Sequence, residues 1–174
     1  MYVKYFLILL LFIFPLSINA ANSENEIKAA VLGKLSHFVK HKSQINNDEF
    51  IITVFQDETF AKLLKEKYNN KQINHKNVLV KNVQAMEEIN SSDLLYIGKV
   101  PQEIQYQLIE YAQSNNLLTI SEESGFAQRG GIVQLYFVSL KIRFKINLNA
   151  AKKSNLKISS SLLSISTIVK GETK

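Results

Sequence analysis

Beyond residue 20 the apolar positions of this chain alternate between helical and strand-like spacing. Over residues 23–42, Ile27, Ala30, Val31, Leu35, Phe38 and Val39 follow the 3.6-residue period of an amphipathic helix. Ser23 followed by Glu26 reads as a capping box at its start. Residues 50–55 are a short, β-rich apolar run, the pattern of a strand buried on both faces. Asp57 is placed to cap a helix running to about Lys67, with Phe60, Leu63 and Leu64 inward. The polar stretch 68–76, with Asn69 and Asn70, predicts a loop, 78–83 a second strand, 84–89 a short helical turn and 94–97 a third strand. Pro101 suits the first turn of a helix whose inward residues are Ile104, Leu108, Tyr111 and Ala112. Asn115 and Asn116 end that helix before a fourth strand over 117–120.

The last third has a different rhythm. Residues 132–138 and 140–148 are adjacent strands with little between them, which predicts an antiparallel hairpin. In the second, Lys141, Arg143, Lys145 and Asn147 alternate with Ile142, Phe144, Ile146 and Leu148, giving one polar, basic face and one apolar face. A short helix over 150–154 and a closing helix over 158–169, with Ile158, Leu162, Ile165 and Val169 on one face, complete the pattern. The predicted fold is therefore α/β: a central mixed, largely parallel β-sheet flanked by helices on both faces, with a C-terminal antiparallel hairpin and closing helix. No repeat or flexible linker divides residues 21–174, so they are expected to form one domain.

The first 20 residues change the setting. Lys4 is followed by an almost unbroken apolar run over 5–18 and then by Ser17, Ala20 and Ala21, the order of a cleaved export leader. The run is too short for a bilayer span, which needs about 20 residues. Cleavage is expected after Ala20. The 174-residue chain carries a formal charge of +6. In an exported protein that excess favours acidic protein faces or anionic membrane surface over nucleic acid. The absence of cysteine excludes disulfides, thiolate metal sites and thiol nucleophiles.

Gly125, Phe126, Ala127, Gly130, Gly131 and Ile132 form a GFA-x-x-GG-I string. It is followed by the R-F-x-I-N string Arg143 to Asn147, the pair Ala150-Ala151, and L-x-I-S-S-x-L-L with Ser159 and Ser160 at its centre. Together these motifs resemble the YfiR family of small exported regulators, and the likeness extends to Ile27–Leu32 and to Asp93–Ile97, where the family has a central strand. The resemblance implies a periplasmic regulator, not an enzyme, in a Gram-negative bacterium. Its implied partner is the periplasmic segment of an inner-membrane diguanylate cyclase or a similar signalling protein, held inactive so that cyclic-di-GMP and biofilm formation stay low. An outer-membrane lipoprotein is a second candidate partner, and a homodimer a candidate assembly. The chain departs from the family pattern at Gly33, where an aromatic or basic residue is common, in lacking a Trp-Pro ending after Val39-Lys40-His41, and in lacking cysteine.

The glycines could line a phosphate loop, but no Lys-Ser/Thr follows and a strand succeeds them, so a turn requiring positive φ is the better reading. Phe126 is expected to plug the core beneath it. Arg129 at the loop tip and the strand cations Lys141, Arg143 and Lys145 are the candidate partner contacts, with a merely solvated strand face as the plainer alternative. His37 and His41 lie four apart but share their face with Lys34, and His75 is distant, so neither a metal nor a cofactor is expected. Glu122 and Glu123 are neighbours on an extended segment and point apart, which argues against paired acid–base catalysis. A small-ligand sensor with a pocket at the carboxyl ends of the sheet is the rival reading.

Overall fold

The computed structural model describes residues 19–41 and 48–171. The leader predicted over residues 1–20 lies outside them except for Asn19 and Ala20. The element order is α1 (Asn19–His37), β1 (Val39–His41), β2 (Glu49–Phe55), α2 (Glu58–Tyr68), β3 (Gln72–Ile73), β4 (Lys76–Val83), β5 (Leu94–Ile97), α3 (Gln102–Ser114), β6 (Leu118–Ser121), β7 (Val133–Val138), β8 (Lys141–Asn147), α4 (Leu148–Lys153), β9 (Leu156–Ile158), α5 (Ser160–Leu163) and β10 (Thr167–Val169).

Eight strands form one sheet in the order β10-β8-β7-β6-β5-β2-β4-β3. The pairs β2–β4, β2–β5, β5–β6 and β6–β7 are parallel, as is β10–β8; β7–β8 is the predicted antiparallel hairpin. Alternation along each strand sorts the core onto two faces. Phe50, Ile52, Val54, Leu94, Tyr96, Leu118, Ile120, Leu135, Phe144 and Ile146 meet α1, α2, α4 and α5 on one side. Phe55, Leu95 and Ile97 meet α3 and Phe126 on the other.

Local chemistry explains the boundaries. The Asp57 carboxylate accepts from the Phe60 N–H at 3.0 Å and opens α2. Asn147 ends β8 and its Oδ1 accepts from the Ala150 N–H at 2.9 Å, so Leu148 starts α4 instead of ending the strand. Ser139 (φ 48°) and Leu140 (φ 61°) make the two-residue link of the hairpin. Both central residues with positive φ is the turn that matches strand twist, normally built from Asn and Gly. A leucine there costs about 1–2 kcal/mol.

Three expectations are corrected. First, α1 already runs from Asn19, so Ser23 lies within it, and the helix stops at His37. Val39–His41 instead pairs antiparallel with β9, Val39 opposite Ile158, and both are buried. Second, the buried face of α1 carries Lys28, Ala29, Leu32, Leu35 and Ser36, rotated from the expected stripe; Phe38 is 38% exposed. Third, the closing helix over 158–169 is a single turn between two strands. Ser159 Oγ caps that turn at Leu162 N–H, while Ser164 and Ser166 hydroxyls donate to the Ser161 and Leu162 carbonyls. Serines that bond their own backbone compete with helix propagation, and the β-branched Thr167, Ile168 and Val169 pair with β8. The expected loop over 68–76 also holds the two-residue strand β3, paired with β4.

Candidate partner-binding surface

The glycine turn is built for close approach. Gly125 (φ 78°) and Gly130 (φ 108°) occupy the left-handed region, as the sequence required. Gly131 does not; its reason is steric, because a Cβ there would overlap the Phe126 ring. Phe126 is fully buried beneath the turn, with Leu108, Ile109 and Ala112 in the same cluster. The turn is tied to the end of β8: the Asn147 Nδ2 donates to the Ala127 carbonyl at 2.7 Å.

Arg129 lies on this turn and is half-buried, its Nε–H donating to Gln105 Oε1 of α3 at 2.6 Å. Lys141 and Arg143 are exposed on β8, and Lys145 is half-buried with its ammonium 5.4 Å from the centre of the Tyr136 ring. The register puts Gln134 and Tyr136 on the same face as Lys145 and Arg143. The fold therefore gathers Lys141, Arg143 and Lys145 on one face, with Tyr136 among them. The Asn147 side chain ties this strand to the Arg129 turn, about 20 Å along the strand from Lys141 at ~3.3 Å per residue. Sequence reasoning missed Tyr136; its place opposite Arg143 follows only from the hairpin register.

A groove of about 680 Å³ adjoins the turn between α3 and α4, lined among others by Tyr106, Gln113, Arg129, Asn149 and Lys153. It lies away from the switch point, where the chain crosses from β4 to β5 past β2. There Gly98 packs so closely on the strand end that a Cβ would sit 2.8 Å from the Gln56 carbonyl. At the carboxyl ends, where a small-ligand site is expected, Gly98 packs against the Phe55 and Gln56 carbonyls, and the groove beside Arg129 lies elsewhere.

The profile of the YfiR/HmsC-like family matches residues 25–167, which span this sheet, the turn and the hairpin. The chain belongs to the YfiR/HmsC-like family. No curated protein matches it significantly in sequence. Among the solved structures that share the fold are two of low sequence identity. One is a conserved domain protein from Vibrio cholerae O1 biovar El Tor (14% identity, TM-score 0.57, 84% of this chain and 60% of that one). The other is a ligand-free, open substrate-binding protein with adhesive properties from Clostridium difficile (14% identity, TM-score 0.51, 83% and 59%). The chain therefore spans about three fifths of each.

Within this YfiR/HmsC-like chain the departure at Gly33 has a local compensation. The Gly33 N–H donates to the Tyr68 hydroxyl at 2.9 Å, and that hydroxyl donates to the Ala29 carbonyl at 2.8 Å. Burial holds the Tyr68 phenol above its ordinary pKa, with the Gly33 N–H opposing the rise. A Cβ at position 33 would overlap the Tyr68 ring, so α1 and α2 meet here only because the residue is glycine. Alanine is the better helix former by about 1 kcal/mol, yet Gly33→Ala is expected to lower the melting temperature by several degrees. Recovery in Gly33→Ala/Tyr68→Leu, measured by thermal circular dichroism, would identify the overlap as the cause.

The Ser121–Ser124 segment carries a cluster that the sequence did not disclose. The Glu122 carboxylate accepts from Lys28 Nζ at 2.5 Å and from the Tyr96 hydroxyl at 2.6 Å, and Lys28 Nζ lies 5.2 Å from the Phe60 ring centre. Burial first, and the Glu122 charge second, push the Tyr96 phenol far above its ordinary pKa. Ser121 is spent on the Ile97 carbonyl at 2.8 Å. His37 Nδ1 is hydrogen-bonded to Asn74 Oδ1 at 2.8 Å, and no group of three His, Asp or Glu capable of holding a metal occurs among the described residues.

Proposed function

We propose that this protein is an exported periplasmic regulator that inhibits an inner-membrane diguanylate cyclase by binding its periplasmic segment, so limiting cyclic-di-GMP and biofilm formation. The observation that carries the reading is the family match across residues 25–167. Family membership implies a regulator that contacts a membrane signalling protein. The one-sided placement of Lys141, Arg143 and Lys145 on β8 supplies a surface for that contact, with Arg129 as its far end. Control needs no chemistry in the regulator. Binding one receptor state about 100-fold more tightly than another shifts their ratio by that factor.

Two measurements test this. Deleting the gene is expected to raise cyclic-di-GMP and surface attachment only in cells that express the partner cyclase; unchanged levels there would refute cyclase inhibition. Replacing Lys141, Arg143 and Lys145 together by glutamate is expected to weaken capture of the cyclase's periplasmic segment at least tenfold, about 1.4 kcal/mol, with the far-ultraviolet spectrum unchanged. Equal capture would move the contact off β8.

A second reading, a small-ligand sensor for another membrane signalling system, is favoured by the groove beside Arg129 and Lys153. A small molecule retained in native mass spectrometry, and lost in Arg129→Ala, would support it.

A further inference from the structure

The hairpin strand β8 is only half covered on its outer side. β10 pairs with Lys145, Ile146 and Asn147, and among the described residues no strand lies paired against the outer edge beyond them, along residues 141–144. An open edge offers N–H and C=O groups to an incoming strand. At the same end Leu140 is 68% exposed and Val138 51% exposed, and Leu140 is held in the left-handed region that leucine disfavours. An apolar side chain displayed on an unfavourable backbone conformation serves contact better than it serves folding. Lys141 and Arg143 flank it on one face. The ion pairs of the described residues are Lys28–Glu122 and Lys67–Glu26, so neither cation has a carboxylate partner among them.

These features select the occupant. A second copy added antiparallel across a two-fold axis would set Lys141 and Arg143 of both chains on one face, where like charges repel. An anionic lipid surface would meet the cations and Leu140 but leave the main-chain edge unpaired. We propose that residues 141–144 are a strand-addition site for an extended acidic segment of a partner protein. Carboxylates at alternate positions would face Lys141 and Arg143, apolar residues between them would lie on the Ile142 side, and Leu140 would close the end. The proposal deepens the regulator reading and rests on it for the partner's identity, while its test uses no cyclase.

The test uses the purified full chain and a capped, labelled octapeptide of alternating Glu and Val. The peptide is expected to bind with a submillimolar Kd and to slow amide exchange at residues 141–144. A version N-methylated at every residue, which keeps the charge but cannot pair as a strand through either edge, is expected to bind at least tenfold more weakly, as is a Lys–Val peptide. Lys141→Glu/Arg143→Glu should invert the preference between the Glu and Lys peptides. Leu140→Gly should raise the melting temperature yet weaken peptide binding, a combination that a purely structural leucine would not give. Equal binding of the N-methylated peptide, protection confined to other segments, no binding at millimolar peptide, or binding only to phosphatidylglycerol vesicles would each overturn the proposal. Peptide binding without any change of cyclic-di-GMP in the deletion strain would instead refute the cyclase reading and leave the site standing.

Discussion

Replacing Phe126 by alanine is expected to destabilise the protein by about 3–5 kcal/mol, the range for deleting a buried aromatic ring. The ring is fully buried among Leu108, Ile109 and Ala112, and Gly131 lies directly against it. Its removal therefore empties the space beneath the turn and takes away the surface on which Gly131 rests. The next residue, Ala127, receives the Asn147 amide that joins the turn to β8. Local loosening should consequently reach the hairpin. Urea unfolding monitored by circular dichroism would show a loss that is a large fraction of the roughly 5–15 kcal/mol available to a domain. Phe126→Leu should lose less, about 1–1.5 kcal/mol, because apolar volume is largely kept. A loss below about 1 kcal/mol for the alanine variant would mean that the turn holds itself without the ring. Gly131→Ala provides an independent check, since it crowds the same contact from the other side.

The turn was legible because glycine and a buried aromatic in a fixed string leave few physical alternatives. Gly125 and Gly130 take the positive φ expected of them, and Phe126 fills the core. The strands β2, β5 and the hairpin were legible because continuous apolar runs and a period of two admit few other structures at that length. The termini of the fold were not. Phe38 and Val39 extend the spacing of α1, and only pairing with the distant Ile158 makes Val39 a strand residue. Ile158, Leu162, Ile165 and Val169 likewise mimic a helix stripe, but that pattern carries no information about competing serine–backbone bonds or a vacant place beside β8. The candidate surface was half legible. Alternation exposed Lys141, Arg143 and Lys145, whereas Tyr136 entered through register and Arg129 proved to be tied to α3. The cluster at Glu122 was hidden for the same reason: Lys28, Tyr96 and Glu122 come from α1, β5 and the segment after β6, and nothing local links them.

Removing the Glu122 charge should expose how much that hidden cluster holds. In Glu122→Gln, Lys28 keeps its charge at 6% exposure and retains the Phe60 ring but no carboxylate. Breaking a fully buried pair costs about 3–5 kcal/mol because the surviving ion is unpaired. The Glu122 side chain is 36% exposed, so water screens part of this and about 1–3 kcal/mol is expected. Lys28→Met/Glu122→Gln should lie within about 1 kcal/mol of the parent, since an apolar chain of similar length replaces the desolvated ion against Phe60. A double variant as unstable as the single would show that packing, not the uncompensated charge, dominates. The alkaline limb gives a separate reading of Tyr96. Its folded pKa is raised, by burial before anything else, so the folded state keeps a proton that an unfolded tyrosine releases near pH 10. The stability linked to that proton is complete below about pH 10 and is lost as pH rises above it. Tyr96→Phe should therefore flatten the fall in stability between about pH 10 and 11.5 relative to the parent, although it forfeits the hydroxyl's bond to Glu122 at neutral pH. An unchanged alkaline slope in that variant would assign the sensitivity to other tyrosines, beginning with Tyr68, whose phenol is raised in the same direction.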